Sequence, residues 1–275
     1  MSIAWKSSSL DDRSRRLPFV RINPVKKLTK ITSRIWHPVL DKFEARMEAR
    51  CLRRDLYLNR VLDIELDRLS VEVSIPNSEA AEKFVQERLS QLDRKMVSLA
   101  IDATLADRLA AICSAKRIVR DAFLNRIFLL LAASPGAIDR LFFATVADEW
   151  KRDLWNQDKN SWLDYFSGAF YPLEQDINPF WGIREALDMY SVDMGLKDHT
   201  LPDGRVVEVH EDLGGISPRL SVYTTLFTNK DLKTVAPNKD LKAVDLYGMN
   251  TYIADWQIPD HPSELAYRQS LDDLL

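Results

Sequence analysis

Apolar residues along this chain recur with two periods, and the periods alternate in a fixed order. From Thr29 to Trp36, Ile31 and Ile35 share one face with Ser33, while Lys30, Thr32 and Arg34 occupy the other. That period of two predicts a short strand. A clearer version runs over Lys95–Asp102, with Val97, Leu99 and Ile101 opposed to Met96, Ser98 and Ala100. Helical spacing follows each strand, through Leu40, Phe43 and Met47 in one case and Ala106, Leu109 and Cys113 in the other. Both stretches predict a helix of about 12 residues. After breaks at Leu52-Arg53 and Ile118-Val119, a second helix opens with Arg-Asp, an acid suited to the positive end of the helix dipole. Phe123, Leu124, Ile127, Phe128, Leu130 and Leu131 wrap most of the circumference of the later copy, which should therefore be buried on several sides. Ser134-Pro135-Gly136 stops it.

The second helices carry an internal repeat. Arg54–Leu62 returns as Arg120–Phe128, displaced by 66 positions, with five of nine residues identical and the other four exchanging one apolar residue for another. The unit is strand, helix, helix in roughly 40 residues, at 29–67 and 95–134. One copy alone has nothing to cover its second helix. Two copies do, if their strands pair antiparallel and their helices pack beneath. The connector, 68–94, contains a predicted helix from Ser78 to Leu92 with Ala81, Phe84, Val85 and Leu89 on one side. It spans about 22 Å, enough to carry the chain between units. The strands are read as pairing within one chain; pairing between chains, which would make an oligomer, is the alternative.

Beyond Gly136 the repeat ends. A helical segment, Ala137–Asp153, leads into a region dense in aromatics, from Trp150 through Trp155, Trp162, Tyr165, Phe166, Phe170 and Tyr171 to Phe180 and Trp181. Leu201–His210 reads as a hairpin turning at Asp203-Gly204, and Arg219–Phe227 and Leu246–Ala254 read as strands. Asn229–Val235 is echoed at Asn238–Val244, a pair of similar turns, and Ser263–Leu275 is a polar helix or docking tail. The fold class expected is α+β: the duplicated module at 29–134, and a smaller mixed α+β domain at 135–275 for a protein partner or effector.

Charge divides the chain. Residues 1–60 hold 15 Lys and Arg against 6 Asp and Glu, leaving 23 against 35 for the remainder. Between Arg13 and Leu40 no acid occurs, whereas Arg13, Arg15, Arg16, Arg21, Lys26, Lys27, Lys30 and Arg34 do. This basic arm, 1–28, is an electrostatic footprint for a polyanion or else a solvated tail. The longest apolar run, Ile127–Ala133, is far short of the roughly 20 residues that span a bilayer. With no apolar leader, the expectation is a cytoplasmic protein without membrane contact. Cys51 and Cys113 read as buried thiols. His199, Asp203, Glu208, His210 and Glu211 match no metal-ligand spacing and are explained by a surface hairpin. No phosphate loop, dinucleotide fingerprint or nucleophile elbow is present, so no enzyme, cofactor or metal is expected.

Residues 29–133 resemble the ribbon-helix-helix family of DNA-binding proteins, of the Arc and MetJ type. Met96–Asp102 looks like that family's strand, Thr104–Ala110 like its first helix and Val119–Ile127 like its second. The resemblance implies a two-stranded ribbon laid in the major groove of duplex DNA, here supplied by one chain as a built-in pseudo-dimer. It implies Lys30, Thr32 and Arg34 as groove readers on one strand, facing Met96, Ser98 and Ala100 on the other. It also implies Arg53, Arg54 and Arg120 near the phosphates. Asn59, Arg60, Asn125 and Arg126 are expected to bridge the units or bond to nearby backbone. Two departures stand out: the inter-helix turns, Arg50–Arg53 and Lys116–Val119, lack the family's usual glycine, and the second helices lack a Ser or Thr cap. The functional expectation is sequence-specific duplex binding by a repressor or antitoxin-like regulator. The alternative is a scaffold subunit of a protein or protein–RNA assembly. Arg reads guanine and Thr meets the thymine methyl, whereas Met96 and Ala100 offer little hydrogen bonding, so the ribbon would read an asymmetric site.

Overall fold

The computed structural model describes residues 27–73, 75–133 and 246–272, with shorter pieces at 180, 183–184, 187, 196–200, 206–210, 215–217 and 221–223. Strand β1 (Leu28–Trp36) leads into helices α1 (His37–Ala49) and α2 (Arg54–Glu72). After α3 (Glu79–Ser90) the same order returns as β2 (Arg94–Asp102), α4 (Ala103–Ala115) and α5 (Arg120–Ala132). The fold is mixed α+β, and β1 and β2 form a two-stranded antiparallel sheet. The register runs from Leu28 opposite Asp102, through Thr32 opposite Ser98, to Trp36 opposite Arg94. Just outside the sheet, the His37 N–H donates to the Asp93 carbonyl (2.9 Å) and the Ala103 N–H to the Lys27 carbonyl (2.8 Å), which satisfies the first amide of each first helix.

One face of the sheet is the lid of the core. Val97, Leu99, Ile101 and Ile35 are buried in a cluster with Leu40, Phe43 and Met47 of α1, Leu58, Leu62 and Leu66 of α2, and Leu105 and Leu109 of α4. The copies interleave: α1 packs on α5 and α2 on α4. The Phe43 and Phe128 rings meet edge to face at 4.9 Å, joining the two copies through their side chains. All-round apolarity of α5 has the expected result, with ten of its 13 residues buried. Burial also pushes the Cys113 thiol up to about 12, leaving it protonated at neutral pH.

Each first helix ends alike. Cys51 (φ 55°) and Arg117 (φ 50°) take the left-handed conformation. Bonds from Leu52 N–H to the Met47 carbonyl (2.9 Å), and from Ile118 N–H to the Cys113 carbonyl (2.8 Å), close a Schellman motif in both copies. The backbone thus makes the turn that a glycine would favour, with a side chain in its place. Cys51, expected as a buried thiol, is exposed because this position projects away from the core.

The core crosses the expected boundary at 134. Phe180, Ile183, Leu187, Val222, Tyr223 and Met249 join the same cluster. Buried Glu65 on α2 accepts from the Arg184 guanidinium (2.9 Å) and from the Tyr223 hydroxyl. Burial raises the Glu65 pKa, against the opposing pull of Arg184. Arg126 on α5 is fully buried and donates to the Val222 carbonyl at 2.7 Å. The end of the first unit also differs from expectation: α2 continues to Glu72, past the boundary at 67.

Further on, the hairpin pairs β3 (Leu196–Thr200) with β4 (Val206–His210), and β5 (Gly215–Ser217) adds to β4, so the first hairpin strand precedes Leu201. Within the expected strand Arg219–Phe227, residues 222–223 form a turn. Leu246–Met249 is a 3-10 turn and not a strand. Gly248 there lies so close to α3 that an added Cβ would sit 2.7 Å from the Leu89 nitrogen. Asn77 holds the next residues, donating to the Thr251 carbonyl (2.8 Å) and accepting from the Ile253 N–H (3.1 Å). Helix α6 (Pro262–Asp272) follows. The basic arm before Lys27, the expected helix 137–153, the echo at 229–244 and the aromatics other than Phe180 lie outside the described residues.

Replacing Cys51 by Gly should raise unfolding free energy by about 0.5–1 kcal/mol, since a left-handed L-residue is strained and the exposed thiol packs against little. Urea denaturation measures this; a lower midpoint would contradict the strain argument.

Candidate nucleic-acid interface

A two-stranded ribbon has two edges, and each edge presents unpaired backbone groups. The repeated Arg-Asp-x-x-x-Asn at the start of α2 and α5 fills both. On the β2 edge, Arg54 donates to the Ser98 carbonyl (2.9 Å), the Ala100 N–H donates to Asp55 (3.1 Å), and the Asp102 N–H donates to Asn59 (2.7 Å). The Asn59 amide also donates to the Ala100 carbonyl (2.9 Å). On the β1 edge, Arg120 donates to the Thr32 carbonyl (2.7 Å), the Arg34 N–H to Asp121 (3.2 Å) and the Trp36 N–H to Asn125 (2.7 Å). The Asn125 amide donates to the Arg34 carbonyl at 2.8 Å. Adding 66 to each first-unit residue and subtracting 66 from each second-unit residue converts one set into the other, and each helix clamps the strand of the opposite unit.

With its edges closed, the sheet offers only its outer face. Leu28, Lys30, Thr32, Arg34, Met96 and Ser98 are exposed there, and Ala100 is half-buried. The register sets Lys30 opposite Ala100, Thr32 opposite Ser98 and Arg34 opposite Met96, so the six residues expected on a reading face are brought together. Among the described residues the face exposes no carboxylate: Asp102, of the same parity at the end of β2 and opposite Leu28, is buried and caps the start of α4. At one end stands Arg94, whose pKa is lowered first by burial and then by the charge of Arg34. Lys95, beside it, is exposed. Lys95 has the parity of Val97 and not of the outer face. Sequence reasoning missed Arg94, which lies just before the alternating run Lys95–Asp102. It also missed that buried Ser33 donates to Asp121 (2.8 Å), which lets a polar residue replace Leu99's apolar partner role in the first copy.

The arginines implied near phosphate divide into two kinds. Arg53 is exposed. Arg54 is held by Glu44 (2.9 Å) and Asp55 (2.8 Å), which raise its pKa against the lowering effect of burial. Arg120 bonds to Thr32 and contacts Asp121 at 3.3 Å. Both Arg54 and Arg120 therefore have structural partners at the ribbon edge. Lys27 is exposed where the arm joins β1; Arg13, Arg15, Arg16, Arg21 and Lys26 lie outside the described residues.

Two cavities flank the ribbon at the starts of α2 and α5. The first, of about 530 Å³, is lined by Leu28, Glu44, Glu48, Arg53, Arg54 and Asp55 among others. The second, of about 410 Å³, has Arg94, Ala110, Val119, Arg120 and Asp121 at the corresponding positions. The same geometry thus carries two carboxylates at one flank where the other has Ala110 and exposed Ser114. Among the described residues, no helix is long and apolar enough to cross a membrane. The chain matches no protein-family model, no curated protein and no solved structure.

Asn125→Ala removes the partners of the Trp36 N–H and the Arg34 carbonyl and should cost about 2–3 kcal/mol of stability. Asn59→Ala should act in the same direction. Urea unfolding followed by tryptophan fluorescence checks both; a change below about 0.5 kcal/mol for Asn125→Ala would mean that the clamp does not hold the ribbon.

Proposed function

We propose that this chain binds double-stranded DNA through the outer face of its ribbon, as a tandem ribbon-helix-helix module in which one chain supplies both strands of a pseudo-dimer. The observation that carries the reading is the carboxylate-free face formed by Lys30, Thr32, Arg34 and Ser98. A ribbon with sealed edges fits the major groove and presents side chains, not backbone, to base edges. Arg34 has the fork geometry for guanine, and Thr32 and Ser98 at the centre serve as short hydrogen-bonding contacts. Arg53 and the arm residues Arg13, Arg15, Arg16, Arg21, Lys26 and Lys27 add phosphate neutralisation, which gives affinity without sequence preference. Arg54 and Arg120 act by fixing the ribbon edge. The biological form is a cytoplasmic repressor or antitoxin-like regulator whose residues beyond 134 serve a protein partner.

A second reading has one observation in its favour: Leu28 and Met96 are 57% and 64% exposed on the ribbon face. Large apolar residues there suit a protein partner, making the module a scaffold in an assembly with RNA or protein. A mobility-shift assay with duplex DNA, single strands and structured RNA separates the two.

Under the DNA reading, Arg34→Ala should lose about 1–3 kcal/mol on the preferred duplex and little on random duplex. Deleting residues 1–26 should weaken both equally and flatten the salt dependence. Unchanged affinity and preference in Arg34→Ala would remove the ribbon face from the binding surface.

A further inference from the structure

We infer that the duplex target is non-palindromic and that a single chain occupies it in one orientation, with β1 supplying the cation on both sides of the centre. This rests on the duplex-reading proposal. A symmetric dimer meets a palindrome because its two halves present the same side chains. Here the register defines the halves. Thr32 and Ser98 face each other and are also equivalent positions of the repeat, so they mark the centre of the ribbon. On one side of that centre Arg34 faces Met96; on the other Lys30 faces Ala100. Under the exchange that relates the copies, Arg34 corresponds to Ala100 and Lys30 to Met96. Neither half reproduces the other.

The chemistry of the halves differs in kind. Arg34 forms bidentate bonds to guanine, and the exposed Met96 beside it is an apolar surface for a thymine methyl. Lys30 is a point charge with less geometric demand, and half-buried Ala100 reaches less far. Lys30 and Arg34 are four residues apart, about 13 Å along a strand, so their contacts fall about four base pairs apart.

The flanks are unequal in the same sense, and this is an independent observation. The Arg34 end adjoins the cavity where Arg94 and Arg120 outnumber Asp121, a net positive lining. The Lys30 end adjoins the cavity where Glu44, Glu48 and Asp55 outnumber Arg53 and Arg54, a net negative lining less favourable to a phosphate backbone. Lys27, and with it the basic arm, joins the sheet at this acidic end. The two ends of the ribbon therefore meet the duplex differently, the Arg34 half beside a net positive flank and the Lys30 half beside a net negative one.

The test is selection of the full chain on randomised duplexes, followed by affinity and stoichiometry on the recovered motif. The expected result is an asymmetric motif bound by one chain, with guanine in one half. Either half duplicated as a palindrome should bind about 10-fold more weakly. The double variant Met96→Lys with Ala100→Arg gives β2 the side chains of β1, at one exposed and one half-buried position, and should shift preference to a palindrome. Circular dichroism checks that it folds. A palindromic motif for the unaltered chain, or two chains per site, would overturn the inference and leave duplex reading in place. Failure to enrich any duplex would overturn both.

Discussion

Two strands with no third neighbour leave a row of amide and carbonyl groups along each outer edge, and everything else in this fold depends on how those groups are satisfied. An isolated two-stranded ribbon is marginal in water. Here each edge receives an arginine, an aspartate and an asparagine from the first turns of a helix that belongs to the other half of the repeat. The clamp works only if both copies are present, because neither helix reaches its own strand. That makes the sheet, the helix order and the duplication one device.

Sealing the edges leaves one outer face for contact, and the shared core determines which face that is. Ile35, Val97, Leu99 and Ile101 point inward with the aromatic pair of Phe43 and Phe128, so Lys30, Thr32 and Arg34 point out. The residues after 134 then break the equivalence of the copies. They cover α5, where Arg126 bonds to Val222, while the corresponding Arg60 on α2 stays half-buried. On α2 they anchor instead at Glu65, through Arg184 and Tyr223. Symmetric backbone and asymmetric surface coexist because the clamp constrains only Arg-Asp-Asn and leaves the strand side chains free to diverge.

The strands of the repeat, its helices and the connector were legible in the sequence because their signals are local: alternation in Lys95–Asp102, helical spacing through Phe43 and Met47, and the one-sided spacing of Ala81, Phe84, Val85 and Leu89. The face grouping of Lys30, Thr32 and Arg34 followed from the same alternation. Long-range pairing was not legible. Asp55 and Asp121 read as partners of the helix dipole, yet each accepts a strand amide more than 40 positions away. The conservation of Asn59 and Asn125 between the copies was the available signal, since packing alone does not require an amide. Cys51 and Arg117 concealed a Schellman turn that glycine would have announced. The 3-10 turn at Leu246–Met249 was read as part of a strand over Leu246–Ala254; there Gly248 lies against α3.

The central claim, that duplex DNA sits on the outer ribbon face, is tested most directly by methyl NMR of the methionines during titration with duplex DNA. Met96 is 64% exposed on that face, opposite Arg34, while Met47 and Met249 are buried in the core. The account predicts that the Met96 methyl resonance shifts as duplex is added and that those of Met47 and Met249 stay in place. A Met96 resonance that does not move while the duplex binds would contradict it.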